Sequence, residues 1–497
     1  MTWLSGLLAI ASVFLLAVWR KSAFSRNTRL LPPGPPAHWF WGNAMPRVNI
    51  AHTLAEWVNT YGPILTLRQG SQVIIIIGRH QAATEIMEKE GGALADRPRF
   101  VAAGEMLSHG MRIHLSPYGE KWKRLRRAVH THFQPKAAET YQPLQMFNAK
   151  NLIMDLLENP KEHQRHARRL AASVILRVTY GKTTPTATTD PEVKQIHKVL
   201  QNFQMAFRPG AYLVDRIPIL KYLPGYANHL KRWREEEVRL FTHQLNRVRT
   251  DMRGGQAGPS FTRYLLDSVN DHSLCDEEMA YLSGALFGAG AETTAVSITN
   301  MIMAAACYPE AQKKVQAELD KVVGRDRPPT FADQESLPQL QAFIEETLRW
   351  RPILPIGFPH RAARDIIWGG YCIPEGATVF GSHWAISRDP DTFPNPETFD
   401  PERWLDNGKL RPDMSFFTFG FGRRVCPGQH IANRSLYINL ALIFWSFRIS
   451  QVPSAPIDVT AFSDSVIASP KPFEVNFEKR IGEQALRTML EDYGSDI

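Results

Sequence analysis

From Asp276 the chain runs through DEEMAYLSGALFGAGAETTAVSITNMIMAAAC to Cys307, and Tyr308-Pro309 ends the stretch. This is the longest helix candidate, roughly 48 Å at 1.5 Å per residue. A rod of that length has to cross whatever domain contains it, so the rest of the fold must be built around it. Its middle carries Gly288 and Gly290, each costing about 1 kcal/mol against alanine in a helix interior. Either a neighbour packs closely against them or the helix opens locally. Glu292 and Thr293, an acid and a hydroxyl at the same weak point, favour a functional reason.

No internal repeat, low-complexity tract or long polar linker interrupts the chain after Pro36. The 497 residues, enough for about three average domains, therefore read as one large body from residue 37 to 497. Near its start, PILTLRQGSQVIIIIG (Pro63 to Gly78) predicts a β-hairpin around a central Gly-Ser turn. Helical periodicity then dominates, as where Trp233, Phe241, Leu245 and Val248 share one face of a charged segment. Short strands are expected around Cys372 to Val379 and at Phe473 to Phe477. The fold class is mainly α with small β-sheets.

Lys and Arg number 58 against 49 for Asp and Glu, a net charge of +9. So mild an excess suits a phospholipid surface or an acidic protein partner. No zinc-finger spacing and no long basic tract supports nucleic acid as a partner. Cys275, Cys307, Cys372 and Cys426 form no C-x-x-C pair, which argues against a disulfide framework and a Cys-rich zinc site. The pattern suits a reducing compartment, where any essential cysteine acts alone.

Trp3 to Val18 carries no charge, and Arg20, Lys21, Arg26 and Arg29 follow it. Charge behind the apolar run, with Trp19 where a cleavage site needs a small residue, argues for a retained anchor over a signal peptide. Residues 1–19 are expected to span a bilayer once, with everything after Arg20 in the cytosol. LPPGPP (Leu31 to Pro36) suits a stiff extended spacer and equally an ordinary proline-rich loop, and 20–36 is expected to be a basic, proline-rich hinge.

FTFGFGRRVCPGQH surrounds the last cysteine and sets Phe419, Gly422, Arg424, Cys426 and Gly428 in the pattern F-x-x-G-x-R-x-C-x-G. Five specified positions match by chance roughly once in ten thousand chains of this length. Two glycines bracketing a cysteine make a tight loop whose amides can face the sulfur. The apolar run Tyr437 to Trp445 predicts a helix starting at that loop. Amides and a helix N-terminus both stabilise a thiolate, the form that binds metal.

On these residues the chain resembles the cytochrome P-450 family of haem-thiolate monooxygenases, and further motifs follow in the family's order along essentially its whole length. The resemblance implies the cytochrome P-450 fold, with haem b between the long central helix and the cysteine loop and Cys426 as axial thiolate. It assigns propionate donors to Trp122 and Arg126 of W-x-x-x-R, to His360 of PHRA and to Arg424. Phe419, Gly420 and Gly428 are assigned to the cofactor side of the loop, and Gly290 becomes the gap that leaves room for oxygen. Glu292 and Thr293 of AGAET become the pair that organises water and delivers protons to dioxygen. Glu346 and Arg349 of EETLRW match E-x-x-R, and Arg403 of PERW joins them in structural support of the core. Trp404 stands where the family has phenylalanine, a tolerable aromatic exchange.

By the same resemblance, Phe207, Ile217, Leu220, Ile356, Phe358 and Val466 belong to pocket-lining stretches, and their apolar character favours a lipophilic substrate. PILKYLPGY (Pro218 to Tyr226) is the expected entrance from the bilayer. No G-x-G-x-x-G fingerprint and no flavin segment is present, so electrons are expected from a membrane-bound NADPH-cytochrome reductase docked on the basic side. The loop wording is most like fungal microsomal members that oxidise secondary metabolites. The expected function is O₂- and NADPH-dependent hydroxylation of a lipophilic terpenoid, polyketide or alkaloid at the endoplasmic reticulum membrane. An oxygen-independent haem-thiolate isomerase or dehydratase and a membrane-anchored haem sensor are the competing classes, and Glu292 with Thr293 counts against both. Asn433-Arg434-Ser435 is a glycosylation sequon, unused if this part faces the cytosol.

Overall fold

The computed structural model describes residues 30–39, 41–46, 48–70, 72–182 and 189–494, together with Ser12. The expected anchor, 1–19, lies outside the described residues apart from Ser12, as do residues 20–29 of the hinge. Among the described residues no helix is long and apolar enough to cross a membrane. The chain divides into two compact units assembled from interleaved segments.

The first unit takes Met1–Pro98, Ile356–Asp389 and Phe421–Arg424. Its expected hairpin forms from β1 (Ile64–Gln69) and β2 (Gln72–Ile77), antiparallel from Ile64↔Ile77 to Gln69↔Gln72. Ile74 to Ile77 are all buried, a run without polar alternation of the kind found where both faces of a strand are covered. Helix α1 (Ile50–Tyr61) packs Leu54 and Val58 in one cluster with Leu65, Leu67, Ile74 and Ile76. Farther along the chain come β3 (His360–Arg361), the small hairpin of β4 (Ile366–Trp368) and β5 (Tyr371–Ile373), and β6 (Thr378–Gly381). β6 pairs parallel with β2 and antiparallel with β3, giving the order β1-β2-β6-β3. The proline-rich run is tied to this sheet: Thr66 N donates to Pro33 O at 2.8 Å, and Asn43 Nδ2 donates to the Pro35 and Pro36 carbonyls.

The second unit takes Arg99–Pro355, Pro390–Gly420 and Val425–Ile497 and is largely helical. Helices α2 (Glu120–Phe133), α3 (Gln142–Glu158), α4 (His163–Tyr180), α5 (Pro191–Phe207) and α6 (Asn228–Arg253) precede α7, which spans Asp276–Cys307 as expected. α7 opens on a capping box between Cys275 and Glu278, with Asp276 and Glu277 adding acid at the positive end of the helix. Then follow α8 (Pro309–Val322), α9 (Pro338–Trp350), the hairpin of β7 (Leu405–Asp406) and β8 (Lys409–Leu410), α10 (Gln429–Ser446), and the antiparallel pair β9 (Phe447–Gln451) and β10 (Val475–Lys479). One core gathers Leu152, Ile302, Leu319, Phe343 and Phe444, and a second gathers Leu125, Leu176, Leu200, Phe241 and Phe287. α7 contributes to both. In the sequon, Ser435 is buried within α10 and accepts from Gln145 Nε2 at 2.8 Å, a setting unsuited to glycan attachment.

α7 is buried on most sides, as an all-round apolar helix should be. A methyl group on Gly288 would sit 2.9 Å from Leu200 Cδ2 of α5, and one on Gly290 would sit 2.7 Å from Ile175 Cγ1 of α4. The helix continues unbroken through both positions. Close helix packing therefore explains these glycines. The side of Gly290 where a side chain would stand faces Ile175, which corrects its expected part as the gap for oxygen.

Candidate functional site

Cys426 follows a turn in which Gly420, at φ +81°, donates its N–H to Phe417 O at 2.9 Å. Cys426 N then donates to Phe419 O at 2.9 Å, which closes the loop and presents the side chain at the start of α10, whose N-cap is Gly428. Burial pushes the thiol up, while the N–H groups of Gly428 and Gln429 and the charge of Arg126 favour the thiolate. Two amides at a helix start and one arginine are thus directed at one sulfur. Arg126 stands one turn beyond Trp122 on α2, so both lie on the same face. Trp122 is buried beside Tyr118, ring centroids 5.4 Å apart.

His360 and Arg424 belong to the first unit, and a residue that sequence reasoning missed accompanies them. Arg97 is buried, and desolvation first, then the like charge of Arg424, brings its guanidinium down to about 9, with Asp96 opposing. Arg424 Nε donates to Ala95 O at 2.6 Å. Two guanidiniums that repel inside a protein favour a bound anion, so this group fits the carboxylates of a porphyrin. Only the dipeptide Asp96-Arg97 marked the position in the sequence, and a lone arginine has no spacing to give it away.

His360 needs a correction of detail. Its Nδ1 lies 2.6 Å from Leu94 O, and a carbonyl only accepts, so Nδ1 carries the hydrogen. Burial, then Arg97, with Arg424 and His383 behind it, holds the imidazole well below its ordinary value, against a smaller lift from the Leu94 carbonyl. The neutral ring therefore offers a lone pair at Nε2. It becomes the expected donor there only once protonated.

On α7, Ala289 is exposed and Gly290, Glu292, Thr293 and Thr294 are partly open, a stripe in a helix buried before and after it. Thr293 Oγ1 donates to Ala289 O at 2.8 Å. Glu292 turns elsewhere: its Oε2 accepts from Gln204 Nε2 of α5 at 3.0 Å. Burial raises the Glu292 carboxyl, and Arg168 and Gln204 oppose that lift. Adjacent helix residues do not face each other, so the acid and hydroxyl expected to work together have separate anchors.

Glu346, Arg349 and Arg403 come together in one cluster. Arg349 grips Glu346 through Nε (2.8 Å) and Nη2 (2.7 Å), both side chains being 0% exposed. Arg403 Nε adds 3.2 Å to Glu346 Oε1, and Arg349 Nη1 reaches Pro396 O at 2.8 Å. Trp404 Nε1 also donates to this carboxylate, so the aromatic exchange brings a donor that phenylalanine lacks.

A sulfur facing amides and an open stripe on a central helix suit a protein that grips a metal cofactor through one thiolate. Residues 32–477 match the family model for cytochrome P-450, and the chain belongs to that family. It is 54% identical over 452 residues to cytochrome P-450 monooxygenase 64 of Postia placenta, covering 91% of each chain. To monooxygenase 113 of the same fungus it is 52% identical over 464 residues, 93% of this chain and 94% of the other. A cytochrome P-450 monooxygenase of Armillaria gallica is 35% identical, with 97% of each chain covered. Among solved structures, a zebrafish cytochrome P-450 with abiraterone matches at a TM-score of 0.71 and 26% identity, over 87% of this chain and 100% of that one. The protein is a haem-thiolate monooxygenase of this family, whose members use haem iron, dioxygen, a redox partner and a substrate.

Proposed function

We propose that this protein binds haem b through Cys426 and, with electrons from an NADPH-cytochrome reductase, hydroxylates a lipophilic secondary metabolite of the terpenoid, polyketide or alkaloid kind. The observation that carries the reading is the convergence of the Gly428 and Gln429 amides and the Arg126 charge on one half-buried sulfur. When bound, haem supplies the activation of dioxygen that no side chain can. The chain's own work is to hold the cofactor and to manage protons. Trp122, Arg126, Arg424 and Arg97 are the donors for its carboxylates, and His360 joins them once protonated. Thr293, its hydroxyl hydrogen engaged by Ala289, keeps lone pairs for a water, and Glu292 is the proton source.

Phe203 stacks on Phe207 at 5.5 Å and Phe207 meets Phe100 at 5.0 Å, an aromatic run that supports a lipophilic substrate. Leu213, Ile217, Ile219, Tyr222 and Leu223 are exposed. With the uncharged Trp3 to Val18, this supports attachment to the endoplasmic reticulum membrane and substrate entry from the lipid. Reductase docking on the basic face should weaken as salt rises.

The test is expression in microsomes that contain reductase. Carbon monoxide should give the red-shifted Soret band of sulfur ligation, and terpenoid or polyketide scaffolds should gain oxygen by mass. Cys426→Ser should abolish both; survival of either would refute the assignment. Product formed without dioxygen or reductase would point instead to an isomerase or dehydratase.

A further inference from the structure

Glu292 is held from outside its own helix by Gln204, whose Nε2 donates to Oε2 at 3.0 Å. A carboxyl oxygen that accepts an N–H is the carbonyl oxygen of the acid form, so the acid's hydrogen belongs on the other oxygen. Gln204 lies between Phe203 and Phe207 in sequence, on the helix that carries the aromatic run. It therefore links the acid on α7 to the wall that a lipophilic substrate would press against.

We propose that Gln204 is a positioning residue that fixes the proton of Glu292 on Oε1 and ties its release to the placement of α5. This rests on the reading of Glu292 as proton source. The proton leaves Oε1, its electron pair stays on the carboxylate, and water on the side of the exposed Arg168 returns one. The groups acting on the carboxyl are Arg168 from α4 and Gln204 from α5; His197 of α5, itself near Arg168, is kept below its ordinary value by burial and that charge. Because the Gln204 bond favours the ionised form, its loss moves the acid's titration upward.

The experiment uses the full-length, haem-loaded protein. Infrared difference spectra across a pH titration report the carbonyl band of protonated Glu292, identified by its absence in Glu292→Gln. In Gln204→Leu the band should move to higher wavenumber, since the carbonyl has lost its donor, and the alkaline limb of product yield per NADPH should move to higher pH. The isosteric Gln204→Glu, which keeps the side-chain shape and removes the amide, should shift that limb the same way. An unmoved band and limb in both variants overturn the proposal. If Glu292→Gln itself keeps the parent's product yield, the proton-source reading fails, and the infrared band of Gln204→Leu still decides the hydrogen-bond claim.

Discussion

Trp404 Nε1 donates to Glu346 Oε2 at 2.9 Å, making the indole a fourth member of the buried cluster formed with Arg349 and Arg403. Glu346 is fully buried, and Asp400 N also donates to it at 2.8 Å, so its charge is balanced by a closed set of donors. Trp404→Phe keeps the ring and removes one donor. The expected cost is about 1.5–3 kcal/mol, the range for a hydrogen bond to a charged group. It should appear as a lower urea midpoint, and an unchanged midpoint would show the indole bond to be dispensable.

Gly290→Ala sets two effects against each other. The helix gains about 1 kcal/mol from alanine, while a methyl placed 2.7 Å from Ile175 Cγ1 overpacks a tight contact, for about 1–3 kcal/mol lost. Overpacking should win, giving net destabilisation. In an Ile175→Ala background the same substitution should cost less, which a double-mutant cycle measures.

His163 is buried between the rings of Phe473 (4.9 Å) and Phe477 (6.0 Å), and burial brings its pKa down to about 4. The folded value lies below the unfolded one, so the unfolded chain binds the proton first and stability falls as pH drops from about 6.5. This loss continues until the folded value of about 4 is reached. The slope contributed by one such group is about 1.4 kcal/mol per pH unit. His163→Gln should flatten the acid limb of stability by about that slope, as read from urea midpoints across this window. His132, also brought to about 4 by burial, keeps its own share in that variant.

Thr293→Ala removes the hydroxyl bonded to Ala289 O and leaves Cys426 and the cation groups untouched. Haem content and the carbon monoxide spectrum should match the parent, while product per NADPH falls and peroxide rises. Equal product yield would remove Thr293 from proton handling.

Much was legible where neighbours in sequence are neighbours in space. The start and proline-marked end of α7, the hairpin of β1 and β2, the helix after Cys426 and the pairing of Glu346 with Arg349 each depend on residues within a turn or two of each other. Trp233 shows the limit of periodicity: it shares a face with Phe241 and Leu245, yet it is only half-buried, packed edge-on against His229.

By itself, the sequence determined the mainly helical class, the long central rod, the cysteine loop with its facing amides and the E-x-x-R pair, because local backbone geometry and short spacing suffice for each. Tertiary structure alone decided that Gly288 and Gly290 serve packing, that the Leu94 carbonyl sets the tautomer of His360, that Arg97 stands beside Arg424, and that Gln204 holds Glu292. In each of these the partner comes from a distant part of the chain. A hydrogen bond needs its two atoms within about 3 Å, and only the packing of whole helices and strands brings such residues that close.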